Sequence, residues 1–191
     1  MINTDVIGVC WLIFLVVWVV SSFFAKKSVT KRRWGWRWIF IIAIILFVVF
    51  INRGNNAYFA RLFFTNQFFP ATTIISIIAI IFAVAGLIGA VWARVYLGRN
   101  WSGYVTYKKK HELVTDGPYK YVRHPIYSSM MLMFIGTWLS FPTIYVSFMF
   151  LIYLSIFLWR KGKEEAIMIK LFGKKYKDYM KHTKALIPWV W

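Results

Sequence analysis

Apolar residues run through this chain in long unbroken blocks separated by short, mostly basic segments. The blocks at 6–24 and 74–92 contain no charged side chain, and about 20 apolar residues is what a helix needs to cross ~30 Å of hydrocarbon. A further block covers 36–51. Two shorter ones, 126–141 and 144–159, flank Pro142 and Thr143 and predict a tight helical hairpin. Ile, Val, Leu and Phe occur in runs rather than in alternation, so the pattern fits helices and not barrel strands. The expected fold is an all-α, polytopic membrane helical bundle of about five transmembrane helices.

Polar breaks organise the blocks into one integral membrane domain over 1–191. Three N-terminal spans occupy 1–93, a polar connector 94–125, the hairpin 126–159, and a C-terminal helix with its tail 160–191. There is no internal repeat and no low-complexity linker. The first block is expected to be a retained helix rather than a secretory signal, because Asp5 precedes it and Lys26, Lys27, Lys31, Arg32 and Arg33 follow it.

Charge turns this pattern into an orientation. Lysine and arginine number 24 against 6 acidic residues, a net charge of +18. In a soluble protein that balance would point to nucleic acid, but a nucleic-acid surface must be solvated and present base-reading groups. Here the charges sit in the gaps between apolar runs, where they suit anionic headgroups. With the N-terminus outside, 22 basic residues fall in the three cytoplasmic segments and only Arg53 and Arg61 fall outside, as positive charge at span ends requires. Tryptophans near span ends, among them Trp34, Trp92, Trp101 and Trp159, are expected to anchor helices at headgroup level.

Chemistry concentrates after the third span. His111, Glu112, Leu113 and Val114 lead to Gly117-Pro118-Tyr119, a turn signal, and then to Arg123-His124-Pro125-Ile126-Tyr127. Pro125 suits the first turn of a helix, which places His124 at its N-terminal boundary, where amide hydrogens and the helix dipole favour an anionic group. Beyond the hairpin, Arg160 precedes Glu164 by four residues, so the two share a helix face, and Glu165 follows. Glu112, Glu164 and Glu165 are half of the acids in the chain and flank these turns. His111, His124 and His182 lack metal-ligand spacing, and the single cysteine, Cys10, can form neither an intrachain disulfide nor a thiolate cluster. Ser128 and Ser129 have no glycine-flanked elbow and read as packing residues. Gly86 and Gly89 are expected to allow close helix approach.

These two blocks, with Phe172-Gly173, Tyr176, Tyr179 and Ile187-Pro188 completing the second, resemble the isoprenylcysteine carboxyl methyltransferase and phospholipid methyltransferase superfamily over 94–188. The resemblance implies a cytoplasmic pocket for S-adenosylmethionine, closed by the connector and by the C-terminal helix. By that resemblance His111, Glu112, Leu113, Val114, Tyr119, His124, Pro125, Ile126 and Tyr127 contact the cofactor, Glu164 is its acidic contact, and Arg160 orients the acceptor. Near Thr106 the chain departs from the family, which carries a glutamine there.

The implied activity is S-adenosylmethionine-dependent methyl transfer to a lipophilic acceptor that reaches the site from the bilayer, first among such acceptors the carboxylate of a prenylcysteine-like substrate. Arg160, Glu164 and His124 are the catalytic candidates. A carboxylate needs no general base, whereas an amine acceptor would call on His124 or Glu165. The alternatives are a phospholipid N-methyltransferase, a small-acceptor methyltransferase, a sterol-type reductase using NADPH, and a non-enzymatic membrane scaffold. Reporter fusions at the two ends test the orientation: the expected result is an outside N-terminus with a cytoplasmic C-terminus, and a cytoplasmic N-terminus would refute it.

Overall fold

A computed structural model describes residues 2–24, 66–101 and 112–188, and within them every regular element is a helix. Numbered along the chain, these are α1 (Ile2–Phe23), α2 (Thr73–Leu97), α3 (Pro125–Ser140), α4 (Ile144–Phe172) and α5 (Lys174–His182), with 3-10 turns at Gly98–Asn100 and Gly117–Lys120. Among the described residues, α1, α2 with its following turn, and α4 are long and apolar enough to cross a membrane. Helix α3, with 16 residues, spans about 24 Å at 1.5 Å per residue. The expected second crossing, 36–51, lies outside the described residues.

Small side chains set the centre of the bundle. Along α2, Ala79, Ala83, Gly86, Ala90 and Ala93 are buried at alternating steps of four and three residues, which makes one narrow stripe. Helix α3 lies against it in the most extensive helix contact of the structure. A Cβ on Gly86 would sit 2.6 Å from the carbonyl oxygen of Ser129, and one on Gly136 would sit 2.6 Å from that of Ala79. In a membrane, where hydrophobic drive between helices is absent, such backbone approach is the main source of packing energy. Ser129 is buried against Gly86 and Gly89, as a packing residue should be.

Helix α1 closes the third side with Ile7, Cys10 and Phe14 in the same core as Ala79, Ala83, Ala90 and Met133. Trp11 Nε1 donates to Thr137 Oγ1 at 2.9 Å, tying α1 to α3 inside the apolar layer. At the opposite ends of these helices, Ser21 of α1 meets Arg94 of α2. The two helices therefore run in the same direction, as first and third spans separated by a returning one would. Outward side chains such as Leu12, Val16, Ile77, Ile81, Leu151 and Ile156 are exposed, which suits lipid.

Two boundaries differ from the sequence reading. Helix α2 continues past Trp92 to Leu97 and carries Arg94 within its last turn. More consequentially, no separate helix starts at Arg160: α4 is continuous from Ile144 to Phe172, so Arg160, Glu164 and Glu165 stand on a polar extension of the membrane helix. No residue between Trp159 and Glu165 forces a break, because Gly162 is tolerated inside a helix at a cost of about 1 kcal/mol. The helix ends instead at Gly173, whose φ of +52° favours glycine, with its N–H donating to Ile169 O at 2.8 Å. The turn between α3 and α4 is short, as expected. Thr143 caps α4 by accepting from Val146 N, and Phe68 N donates to Pro142 O at 2.8 Å to brace the turn. Yet α3 packs chiefly on α2, and the hairpin partners meet little.

Gly86→Val should force α2 and α3 apart. The expected cost is ~3 kcal/mol, the upper end for overpacking, measured as loss of thermal stability in detergent. An unchanged melting temperature would contradict the close contact.

Candidate functional site

At the end of the bundle where α1 and α2 finish and α3 begins, the helices and the polar half of α4 enclose a cavity of about 510 Å³. Helix α1 contributes Phe14 and Trp18, and the end of α2 with its following turn contributes Leu97, Asn100 and Trp101. The connector supplies Glu112, Leu113, Val114, Tyr119, Arg123 and His124, the first turn of α3 Pro125, Ile126 and Tyr127. From α4 come Tyr153, Ile156, Phe157, Arg160, Glu164 and Met168, and from α5 Tyr176 and Tyr179. Thus the residues singled out in the sequence meet around one space, apart from His111, which lies outside the described residues. Glu165 is not among the lining residues; it stands behind His124.

Local structure explains how the connector is held. Gly117 has φ +57°, and a Cβ there would come within 2.6 Å of the Tyr96 ring, so the 3-10 turn at Gly117–Lys120 lies directly on α2. The Tyr119 hydroxyl reaches back to Ala93 O at 3.4 Å, and Tyr179 of α5 donates to Tyr119 O at 2.5 Å. Burial raises the Tyr119 hydroxyl well above the usual phenol range and does the same for Tyr176 and Tyr179, so all three remain neutral donors. The tail then straps across the turn. Arg123 N donates to Lys184 O at 2.8 Å, His124 N to Ala185 O at 3.0 Å, and Ser128 Oγ to Leu186 O at 2.6 Å.

That strap narrows one expectation, an anionic group at the N-terminal boundary of α3. The amide of His124 is taken by Ala185, and Pro125 has none, so these two cannot receive an anionic group. The remaining first-turn amides of α3 belong to Ile126 and Tyr127, which have no intrahelical partner by the geometry of a helix start. His124 does occupy the N-terminal boundary of α3, with Pro125 in its first turn, as expected.

Charges form two linked groups. In the first, Glu165 Oε1 accepts from Arg123 Nε at 2.9 Å and lies 3.3 Å from His124 Nε2. Burial alone would raise this carboxyl, but the bonds from His124 and Arg123 outweigh it and hold Glu165 below the usual carboxylate range. Arg123 also donates to the carbonyls of Met180 and Thr183, so one guanidinium joins the connector, α4 and the end of α5. In the second group, Glu164 Oε1 accepts from Arg160 Nε at 3.2 Å, Arg160 Nη2 at 3.1 Å and the Tyr127 hydroxyl at 3.1 Å. Its other oxygen is 3.9 Å from His124 Nδ1. His124 therefore stands between the two carboxylates, and the Arg160–Glu164 pair is part of the cavity wall rather than a free surface ion pair.

The remaining wall is aromatic. Tyr127 and Phe157 have centroids 4.8 Å apart, and the Arg160 guanidinium lies 6.0 Å from the Tyr127 ring. Across the space, Trp18 meets Trp101 edge-on at 6.3 Å. Sequence reasoning missed Phe14, Trp18, Met130, Tyr153, Ile156 and Phe157, since an unbroken apolar block does not say which face turns inward. It read Trp101 as an interfacial anchor. Asn100 carried a signal, a polar side chain two residues after a glycine at the end of a span, and it reaches Glu112 Oε2 at 3.5 Å.

Fold and cavity together define a polytopic helical membrane protein with a charged, aromatic-walled chamber at one end of the bundle. The family model of isoprenylcysteine carboxyl methyltransferases matches residues 78–170, which include most of α2, the connector, α3 and nearly all of α4. Over this segment, just under half of its length, the chain carries the sequence pattern of the isoprenylcysteine carboxyl methyltransferase family. It is 36% identical over 99 residues to the protein-S-isoprenylcysteine O-methyltransferase of Schizosaccharomyces pombe, a match covering 50% of this chain and 42% of that protein. To the Dictyostelium discoideum protein of that name it is 37% identical over 95 residues, covering 48% and 40% respectively. The solved structure of a eukaryotic intramembrane Ras methyltransferase ICMT matches 85% of this chain and 55% of that one, with a TM-score of 0.58 and 26% identity. The chain thus spans about half the length of these relatives or less.

The Glu165 group gives a pH dependence. Its folded value lies below the unfolded 4.5, so its contribution is complete above that value and is lost as pH falls through the folded one. Melting temperatures of wild type and Glu165→Gln in detergent should therefore differ at about pH 7 and converge only as pH falls below the ordinary carboxylate range. A gap that widens on acidification would contradict this.

Proposed function

We propose that the chamber binds S-adenosylmethionine beside a lipophilic carboxylate of the prenylcysteine type and that the protein methylates that carboxylate. The observation that carries this reading is the convergence of Arg160, Glu164 and Tyr127 on one wall, a single helical turn from the apolar part of α4. The donor set fits: a carboxylate and aromatic faces suit a cationic sulfonium, Asn100 and Glu112 offer polar contacts, and about 510 Å³ is the scale of pockets that take small-molecule ligands.

S-adenosylmethionine supplies a methyl group already activated for in-line attack. The protein's own share is then positioning and exclusion of water. Glu164, fixed by Arg160 and Tyr127, places negative charge beside the donor's cationic part. The first-turn amides of Ile126 and Tyr127, at the positive end of the α3 dipole, suit an anionic part. Arg160 presents a guanidinium to the acceptor carboxylate, while Tyr153, Ile156 and Phe157 give its apolar chain a surface continuous with the lipid-facing side of α4. Each buried CH₂ of such a chain contributes ~0.8 kcal/mol, which favours an embedded site over a soluble one. We place the N-terminus outside and the chamber at the cytoplasmic face, on the distribution of basic residues, with anionic headgroups against the lysines of α5.

A second reading, N-methylation of a phospholipid amine, draws on one observation: His124 Nε2 lies 3.3 Å from Glu165 Oε1, and a carboxylate-backed imidazole can accept the proton an amine must lose. One assay separates the two. Membranes containing the protein receive methyl-labelled S-adenosylmethionine and a prenylcysteine. The expected product is an alkali-labile ester, reduced about 100-fold in Arg160→Met, a few kcal/mol of lost transition-state stabilisation. Alkali-stable label in lipid would select the amine reading, and no incorporation into either would defeat both.

A further inference from the structure

Outside both charge groups, and absent from the cavity wall, Arg94 is a guanidinium buried in the last turn of a membrane helix with 3% of its surface exposed. It has no carboxylate partner among the described residues. Its contacts are two backbone carbonyls and a ring: Nη2 donates to Ser21 O at 2.7 Å, Nη1 donates to Gly98 O at 2.9 Å, and Cζ lies 4.4 Å from the Trp101 ring centroid. Nε is buried with no partner.

Both carbonyls are at helix ends. Ser21 O is among the last four acceptors of α1, and Gly98 O follows the last residue of α2. Carbonyls at helix ends carry the negative pole of the helix, and Gly98 O, which also accepts from Trp101 N at 3.4 Å, has a lone pair left for the guanidinium. The charge of Arg94 is thus balanced by two helix termini and the face of an indole. Only a planar fork can reach two diverging carbonyls while stacking on a ring; an ammonium is a single point charge. The consequence extends into the chamber. Trp101, held by the guanidinium, packs edge-on against Trp18 of α1, and both line the cavity, as does the neighbouring Asn100, which reaches Glu112.

We propose that Arg94 is a positioning residue: it clasps the ends of α1 and α2 and thereby sets the Trp18–Trp101 wall and Asn100 against the bound methyl donor. This rests on the function proposed above, but its geometric half is testable without it.

Purified full-length protein in detergent is titrated with S-adenosylhomocysteine by calorimetry. Arg94→Met is expected to bind at least about tenfold more weakly, one full step of affinity. Arg94→Lys, which keeps the charge without the fork, should fall between Arg94→Met and wild type. Ala79→Gly loosens α2 at the far end of the bundle and should stay within about twofold, as distant sites do. In parallel, 5-fluorotryptophan labelling reads the clasp directly. The Trp101 resonance, assigned by its loss in Trp101→Phe, should move in Arg94→Met and Arg94→Lys but not in Ala79→Gly. Wild-type affinity in both Arg94 variants, equal weakening in Ala79→Gly, or an unmoved Trp101 signal would overturn the proposal. Should Arg94→Met not fold, Arg94→Lys alone decides by the same criteria. If wild type fails to bind S-adenosylhomocysteine, the functional reading fails, while the fluorine signal still decides whether the clasp exists.

Discussion

One carboxylate, Glu165, holds the polar end of this protein together. It stands on α4, accepts from Arg123 of the connector and lies against His124 at the start of α3, while Arg123 continues to the carbonyls at the end of α5. Three stretches well apart in sequence, at Arg123 and His124, at Glu165 and at the end of α5, are thereby fixed around one space. The charges are largely withdrawn from water, which is favourable only when every partner is in place. Removing either side leaves the other buried and uncompensated, so the arrangement behaves as a unit rather than as a sum of pairs. The wall that bears Arg160, Glu164 and Tyr127 is built on that unit.

The apolar half obeys a different constraint. Alanines and glycines of α2 bring its backbone against α3 closely enough that Cβ atoms at Gly86 or Gly136 would overlap carbonyl oxygens. Among the described residues α4 is largely unpacked along its apolar portion, with Leu151 and Leu158 exposed and Tyr153 and Phe157 lining the chamber. Among the described residues, a closely packed α2–α3 pair thus stands beside a more exposed α4.

How much of this the amino-acid order discloses depends on the range of the interaction. Helical spans follow from blocks of apolar residues, and the cavity residues from Glu112 to Tyr127 stand out because dense polar chemistry is rare between spans. Arg160 and Glu164 are paired by a four-residue interval alone. Phe14 and Trp18 could not be found that way, since any face of a wholly apolar helix is an acceptable interior face. Arg94 looked like one more basic residue at a span end; only the fold reveals that its carbonyl partners come from two helix termini. The continuity of α4 through Arg160 was masked by charge, because a charge run marks the edge of a membrane and not the end of a helix. The loss of the His124 amide to the tail depends on a bond to Ala185, 61 residues further on (185 − 124), which no local pattern records.

The connector with the first turn of α3 and the polar half of α4 enclose a single space, proposed above as the donor site. Photo-crosslinking with an azido derivative of S-adenosylmethionine, followed by peptide mapping, tests it most directly. Adducts are expected on both stretches, 112–127 and 153–179, suppressed together by excess S-adenosylhomocysteine. Adducts confined to one stretch, or found elsewhere in the chain, would contradict it.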